Sequence, residues 1–338
     1  MRDRYGRPFT DLRVSLTQRC NLRCVFCHME GQLVSDAELT PTEIETIVRA
    51  AVRAGVDRVK LTGGEPTLRT DIVEIVGRIA RLGPEVSMTT NGLRLAALAE
   101  PLHAAGLTRV NVSLPSLDAA TYRELTGVDG LERAVAGVRA AVRAGIGPVK
   151  LNVVALAGTT SDPDAFERLI AFAREVGAWI QVIEFENVRG RVDPEVYRSL
   201  HSELGRLTQD AVRSAFPTGF NRLHHRPRYS VSDGGPPVTL EVVQPVENPA
   251  FCMACDRLRV TSDGHLKGCL MTNAGLVDLR PVLHAADAED ALDRAFALAV
   301  DRRRPFFVGA ETPVPEPPRF DEGDPLPMVG SPLVTEGG

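Results

Sequence analysis

The stretch DLRVSLTQRCNLRCVFC, residues 11–27, joins a short β-rich run to three cysteines, Cys20, Cys24 and Cys27, with three and then two residues between them. A strand that opens into a thiol-bearing loop is the first half of a βα unit, and the units that follow decide the architecture. From Leu12 to Glu186 short β-rich runs alternate with longer amphipathic stretches rich in Ala, Arg and Glu. The runs read as strands at Leu12–Leu16, Arg58–Leu61, Glu85–Thr89, Arg109–Leu114, Lys150–Val154 and Ile180–Phe185. Helical spacing of apolar residues covers Pro41–Ala54, Asp71–Leu82, Leu95–Ala105, Leu131–Ala144 and Pro163–Val176. About six βα units are too few for a closed eight-stranded barrel. The expected fold is α/β, a partial (β/α)6 TIM-type barrel with its site at the C-terminal ends of the strands. Polar residues follow those ends: Gly63, Gly64 and Glu65, then Thr90 and Asn91, Ser113, Asn152 and Glu184.

Beyond Pro194 the sequence predicts a helical segment and then a loop over Phe216–Pro237, rich in His, Arg, Gly and Pro. A strand is expected at Val238–Val243, opening a smaller C-terminal region. The chain is therefore divided into a barrel over 1–237 and a second region over 238–338. Prolines crowd the chain after Arg302, which predicts an extended tail.

The chain has 338 residues, 43% of them apolar, enough to bury a large core. A net charge of -5 argues against nucleic acid and acidic membranes as partners, so any phosphate site has to be a local basic pocket. The N-terminus carries charges where a signal peptide needs an apolar core, and no stretch approaches membrane-spanning length, so a cytoplasmic location is expected.

Six cysteines in a reducing compartment do not read as disulfides. They fall in two tight groups, the second being Cys252, Cys255 and Cys269 in FCMACDRLRVTSDGHLKGCL, residues 251–270. Two sets of three thiolates suit two iron–sulfur clusters, each with one iron left open. Zinc is the competing reading, with His28 completing the first set or His265 the second.

The first triplet, together with TGGEP at Thr62–Pro66, TNG at Thr90–Gly92 and NVSL at Asn111–Leu114, resembles the radical S-adenosylmethionine superfamily. The second triplet, with DLRVSLT at Asp11–Thr17, KLNVV at Lys150–Val154 and IEF at Ile183–Phe185, resembles the GTP 3',8-cyclase (molybdenum cofactor biosynthesis protein A) family within it. The resemblance implies two [4Fe-4S] clusters, on Cys20, Cys24 and Cys27 and on Cys252, Cys255 and Cys269. It implies S-adenosylmethionine held near Gly63, Gly64, Glu65, Thr90, Asn91, Ser113 and Asn152. GTP or a related nucleotide would then lie on Arg13, Arg58, Lys60, Lys150, Arg257 and Arg259, which suit a triphosphate.

By the same resemblance a 5'-deoxyadenosyl radical takes the 3' hydrogen of GTP, and the carbon radical adds to C8 of the guanine. A low-potential electron donor and product hand-off to cyclic pyranopterin monophosphate synthase are implied as partners, and a homodimer is left open. The terminal Gly337 and Gly338 read either as a frayed end or, by resemblance, as a tail entering the site. Gln181 stands where many relatives have Arg, with Arg189 or Arg191 as replacement donors, and Asp256 stands where an amide is common. A two-cluster enzyme acting on another nucleotide or on a peptide is the neighbouring reading.

Overall fold

A computed structural model of the chain describes residues 1–156, 163–186, 188, 215–221, 224, 226–232, 235–246 and 248–304. Six parallel strands lie side by side in chain order: β1 (Asp11–Ser15), β2 (Arg58–Thr62), β3 (Glu85–Thr90), β4 (Leu107–Ser113), β5 (Val149–Val154) and β6 (Trp179–Ile183). The connections run through α1 (Pro41–Arg53), α2 (Ile72–Ala80), α3 (Leu95–Ala104), the pair α4 (Ala119–Thr126) and α5 (Leu131–Arg143), and α6 (Pro163–Val176). This is the expected α/β partial barrel, with α4 as an element that its short and weakly periodic sequence did not announce.

Local chemistry starts these helices. Thr40 and Glu43 form a reciprocal capping box ahead of Pro41, and α1 then buries Ile44, Ile47, Val48 and Ala51 along one stripe. Asp118 caps α4, and Gly127, at φ 72°, closes it in the left-handed conformation. Under the helices, Val14, Leu61, Met88, Val110, Leu151 and Ile180 are each no more than 1% exposed. Burial of side chains of this size stabilises the barrel by about 1.5–3 kcal/mol apiece before entropy is counted.

The later strands extend the sheet at both edges. β10 (Arg257–Val260) pairs in parallel with β1, followed outward by antiparallel β11 (His265–Lys267) and β12 (Val277–Asp278). At the other edge β9 (Val238–Val243) pairs in parallel with β6. Antiparallel β8 (Arg226–Val231) and β7 (Ala215–Asn221) then complete a twelve-stranded order among the described residues.

The hairpin β7–β8 corrects the expected loop over Phe216–Pro237. Its sequence lacks alternation because Pro217 and Gly219 flank a register shift, and because Arg226 and Arg228 turn onto a buried carboxylate of β9 rather than to solvent. The helical segment expected after Pro194, Arg189, Arg191, the tail beyond residue 304 and Gly337–Gly338 lie outside the described residues. Among the described residues no helix is long and apolar enough to cross a membrane.

Candidate active site

Strand periodicity builds the site. Alternate side chains along each strand face opposite sides, so a barrel strand sends one set inward and the other into the outer core. Asp11 and Arg13 of β1, Arg58 and Lys60 of β2, Arg109, Asn111 and Ser113 of β4, Lys150 and Asn152 of β5, and Arg257 and Arg259 of β10 all line one internal cavity of about 420 Å³. Their neighbours Leu12, Val59, Val112, Leu151 and Leu258 are buried outside it. Register joins the inward residues: Arg13 stands between Lys60 and Arg259, and Asp11 between Arg58 and Arg257.

The same cavity takes in all six cysteines, together with Gly63, Gly64, Glu65, Thr90 and Asn91. Apart from Gly337 and Gly338, every site residue expected from the sequence is therefore brought to one place. The first cysteine loop is pinned to the end of α4, where the Arg23 and Val25 N–H groups donate to the Thr126 and Leu125 carbonyls at 2.8 and 3.0 Å. The second is held by Arg7, which donates to the Cys252 carbonyl at 3.0 Å, and by Arg303, which donates to that of Cys255.

Both histidines of the zinc reading have Nδ1 engaged within the chain. His28 Nδ1 accepts from the Glu30 N–H at 3.0 Å, and His265 pairs with Asp263 at 3.3 Å. Among the described residues no three His, Cys, Asp or Glu side chains form a single-ion site. Two thiol triplets on one cavity fit clusters held by three thiolates.

The glycine loop is stitched to the first cysteine loop. Gly64 N–H donates to the Thr17 carbonyl at 2.7 Å and Glu65 N–H to that of Arg19 at 2.8 Å. A Cβ on Gly64 would lie 2.3 Å from the Arg19 carbonyl oxygen, so only glycine permits this approach. Glu65 is 1% exposed. Its Oε1 accepts from Thr67 N–H at 3.0 Å, Thr67 Oγ1 at 2.5 Å and Thr90 Oγ1 at 2.6 Å, and its Oε2 from Asn91 N–H at 2.7 Å. Burial pushes the carboxyl up against the pull of these donors. One acceptor position on Oε2 remains, which suits a ligand ammonium. The Thr90 and Asn91 side chains are themselves engaged, Thr90 on Glu65 and Asn91 on Asn21 at 2.7 Å. They position the loop as well as face the cavity.

Among the described residues the lining holds ten Arg or Lys side chains against five Asp or Glu, a basic pocket inside an acidic chain. Buried carboxylates hold the cations in place. Glu30 takes Arg13 at 3.3 Å and Arg259 at 2.8 Å, Asp11 takes Arg257, and Asp256 takes Arg58 at 2.5 Å. Burial works to raise the Glu30 and Asp11 carboxyls, but their arginines hold both at about 2. Asp256, unusual beside the second triplet, is thereby explained as the anchor of Arg58.

Lys60 donates to Asn111 at 3.0 Å, and burial drives its pKa well down, with Arg13, Arg257 and Lys150 adding to the effect. Burial also lowers Lys150 to about 8, against the pull of Glu241 at 3.1 Å.

Several residues in the lining or supporting it escaped the sequence reading. Glu30, Glu241 and Arg226 sit where no motif marks them, and Arg226 fell in the expected loop. Gln181 donates to Glu241 at 2.6 Å, and Arg226 donates to the same carboxylate at 3.3 Å, so a cation reaches the neighbourhood of position 181 from β8. Glu186 also faces the cavity, and burial, with Glu184 and Glu30 adding to it, pushes its carboxyl up to about 7. Alternation from the IEF strand was the only available signal for it.

Comparison with known proteins fits this arrangement. Residues 14–173 match the family model of the radical SAM superfamily, and residues 178–307 match that of molybdenum cofactor synthesis C. The chain is 44% identical over 306 residues to a probable GTP 3',8-cyclase of Thermococcus kodakarensis, covering 90% of this chain and 99% of that one. It is 42% identical to a protein of the same name from Methanothermobacter marburgensis, covering 90% and 98%. Among solved structures it resembles Streptococcus suis SuiB bound to S-adenosylmethionine, with a TM-score of 0.61 at 18% identity, covering 85% of this chain and 68% of that one. That likeness concerns the fold. Matched along both halves by family models and along nearly its whole length by curated relatives, the chain belongs to the GTP 3',8-cyclase family of the radical SAM superfamily.

Proposed function

We propose that the chain converts GTP to 3',8-cyclo-7,8-dihydro-GTP, a step of molybdenum cofactor biosynthesis. The observation that carries this reading is a belt of buried cations between two thiol triplets in one cavity. Its cofactors are two [4Fe-4S] clusters and S-adenosylmethionine, held by Cys20, Cys24 and Cys27, by Cys252, Cys255 and Cys269, and by the loop of Gly63, Gly64 and Glu65. When bound, they supply a 5'-deoxyadenosyl radical that removes a hydrogen atom from the substrate.

The chain's own residues do the positioning. Arg13, Arg58, Lys60, Lys150, Arg257 and Arg259 take the triphosphate; Asn111 fixes Lys60, and carboxylate partners fix the other five, before substrate arrives. Ser113 and Asn152 stand opposite each other in register on β4 and β5 at the cofactor end.

The reading divides the chain into a barrel over 1–237 and a second region over 238–338. It places the protein in the cytoplasm. It also calls for an external low-potential electron donor and hand-off of the product to cyclic pyranopterin monophosphate synthase, and it is compatible with a homodimer.

The test is anaerobic reconstitution with iron and sulfide, reduction with dithionite, and incubation with S-adenosylmethionine and GTP. Mass spectrometry is expected to show 5'-deoxyadenosine together with an isomeric dihydro-GTP product. Release of 5'-deoxyadenosine with GTP unchanged would move the search to another substrate.

A further inference from the structure

His224 stands between β7 and β8 at φ 60°, in the left-handed region that non-glycine residues rarely adopt. Strain of this kind persists only where surrounding contacts impose it. Three contacts do so here. The His224 N–H donates to the Ala254 carbonyl at 3.3 Å, and the ring stacks on Phe251 with centroids 4.1 Å apart and planes 16° apart. Nδ1 lies 3.1 Å from Nη2 of Arg226. An arginine can only donate, so Nδ1 is the acceptor and the ring proton sits on Nε2. Among the described residues that Nε2–H has no partner, although the side chain is only 5% exposed and lines the cavity. A fixed donor that opens into a cavity is met there by water or by a ligand.

The surroundings identify the acceptor. Phe251 precedes Cys252 of the second triplet, so the stacked pair is a flat aromatic patch beside that triplet, with the Arg226 guanidinium 5.9 Å from the Phe251 ring centroid. Arg226 is occupied by Glu241. A phosphate would sit better on the Arg and Lys belt, whereas one fixed N–H beside two aromatic faces suits a planar base with a carbonyl oxygen. We propose that His224 is a specificity-determining residue whose Nε2–H donates to the carbonyl oxygen of the substrate's base. The assignment rests on the nucleotide reading above. Guanine presents an oxygen acceptor at its 6-position where adenine presents an amino donor, so this histidine admits the first and opposes the second.

The experiment measures equilibrium binding of GTP and of ATP to the anaerobically reconstituted enzyme without S-adenosylmethionine. The proteins are wild type, His224→Phe, which keeps the stack, and His224→Gln, which keeps an N–H donor. Iron content and the electron paramagnetic resonance signals of the clusters are matched across the three. Wild type is expected to favour GTP over ATP by at least about tenfold, the scale of one hydrogen bond gained and one donor clash avoided. His224→Phe is expected to lose most of that preference through weaker GTP binding, and His224→Gln to restore it. An unchanged preference in His224→Phe, or equal losses for both nucleotides, overturns the assignment. A wild-type enzyme that binds neither nucleotide sinks the cyclase reading and the assignment with it.

Discussion

Glu241 holds together the cationic side of the cavity. It is fully buried and accepts from Lys150, Arg226, Arg228 and Gln181. Burial works to raise its carboxyl, but Lys150 and Arg226 lead the interactions that hold it at about 2. A folded-state value below the unfolded one contributes stability that is present at neutral pH and lost as pH falls from about 4 toward 2. Glu241→Gln leaves three cations without their counter-charge. It is expected to cost about 3–5 kcal/mol in urea denaturation at pH 7 and to flatten the acid limb of the stability profile. Equal stability of the two proteins would contradict the account.

Lys150 gives a second prediction at this scale. With its pKa lowered to about 8, the ammonium is charged below that pH and neutral above it. GTP affinity is therefore expected to weaken between about pH 8 and 9, and Lys150→Arg, which stays charged, to remove that dependence. Isothermal titration across this range checks it.

Among the elements, the glycine loop is the most tightly determined. Its backbone is bonded to the cysteine loop, and Gly64→Ala would drive a methyl group into the Gln18 and Arg19 carbonyls at 2.6 and 2.3 Å. The variant is expected to fold less stably by about 1–3 kcal/mol and to retain fewer iron atoms on the first triplet, read by iron analysis beside a Cys20→Ser control. Wild-type iron content and stability would show that the close approach is unnecessary.

The sequence announced this element through its company: a glycine pair after a strand is an ordinary turn by itself, and the cysteine triplet ahead of it gave it meaning. It announced the six barrel strands by alternation: Arg13, Lys60 and Lys150 interrupt apolar runs at period two, the mark of an inward face. The hairpin β7–β8 was not legible. Its Arg226 and Arg228 satisfy Glu241 on the neighbouring strand β9, and charged residues at alternate positions read as a solvated loop until that buried carboxylate is known. Helix α4 was missed because eight residues give the 3.6-residue period too little room to show.

At the scale of the molecule, parallel pairing of β10 with β1 does the decisive work. It brings Arg257 and Arg259 beside Asp11 and Arg13, and the second thiol triplet to the same cavity as the first. Their clustering in sequence suggested two sites, but only the sheet order shows that the two share one lumen. The acidic net charge likewise concealed a basic interior.

The central claim is that this shared lumen holds GTP with its 3' carbon open to a radical formed at the first triplet. GTP carrying deuterium at the 3' carbon, turned over by the reconstituted enzyme, tests it directly by mass spectrometry of the released 5'-deoxyadenosine. The account predicts one deuterium in 5'-deoxyadenosine for each cyclised nucleotide. Unlabelled 5'-deoxyadenosine alongside unchanged labelled GTP would contradict it.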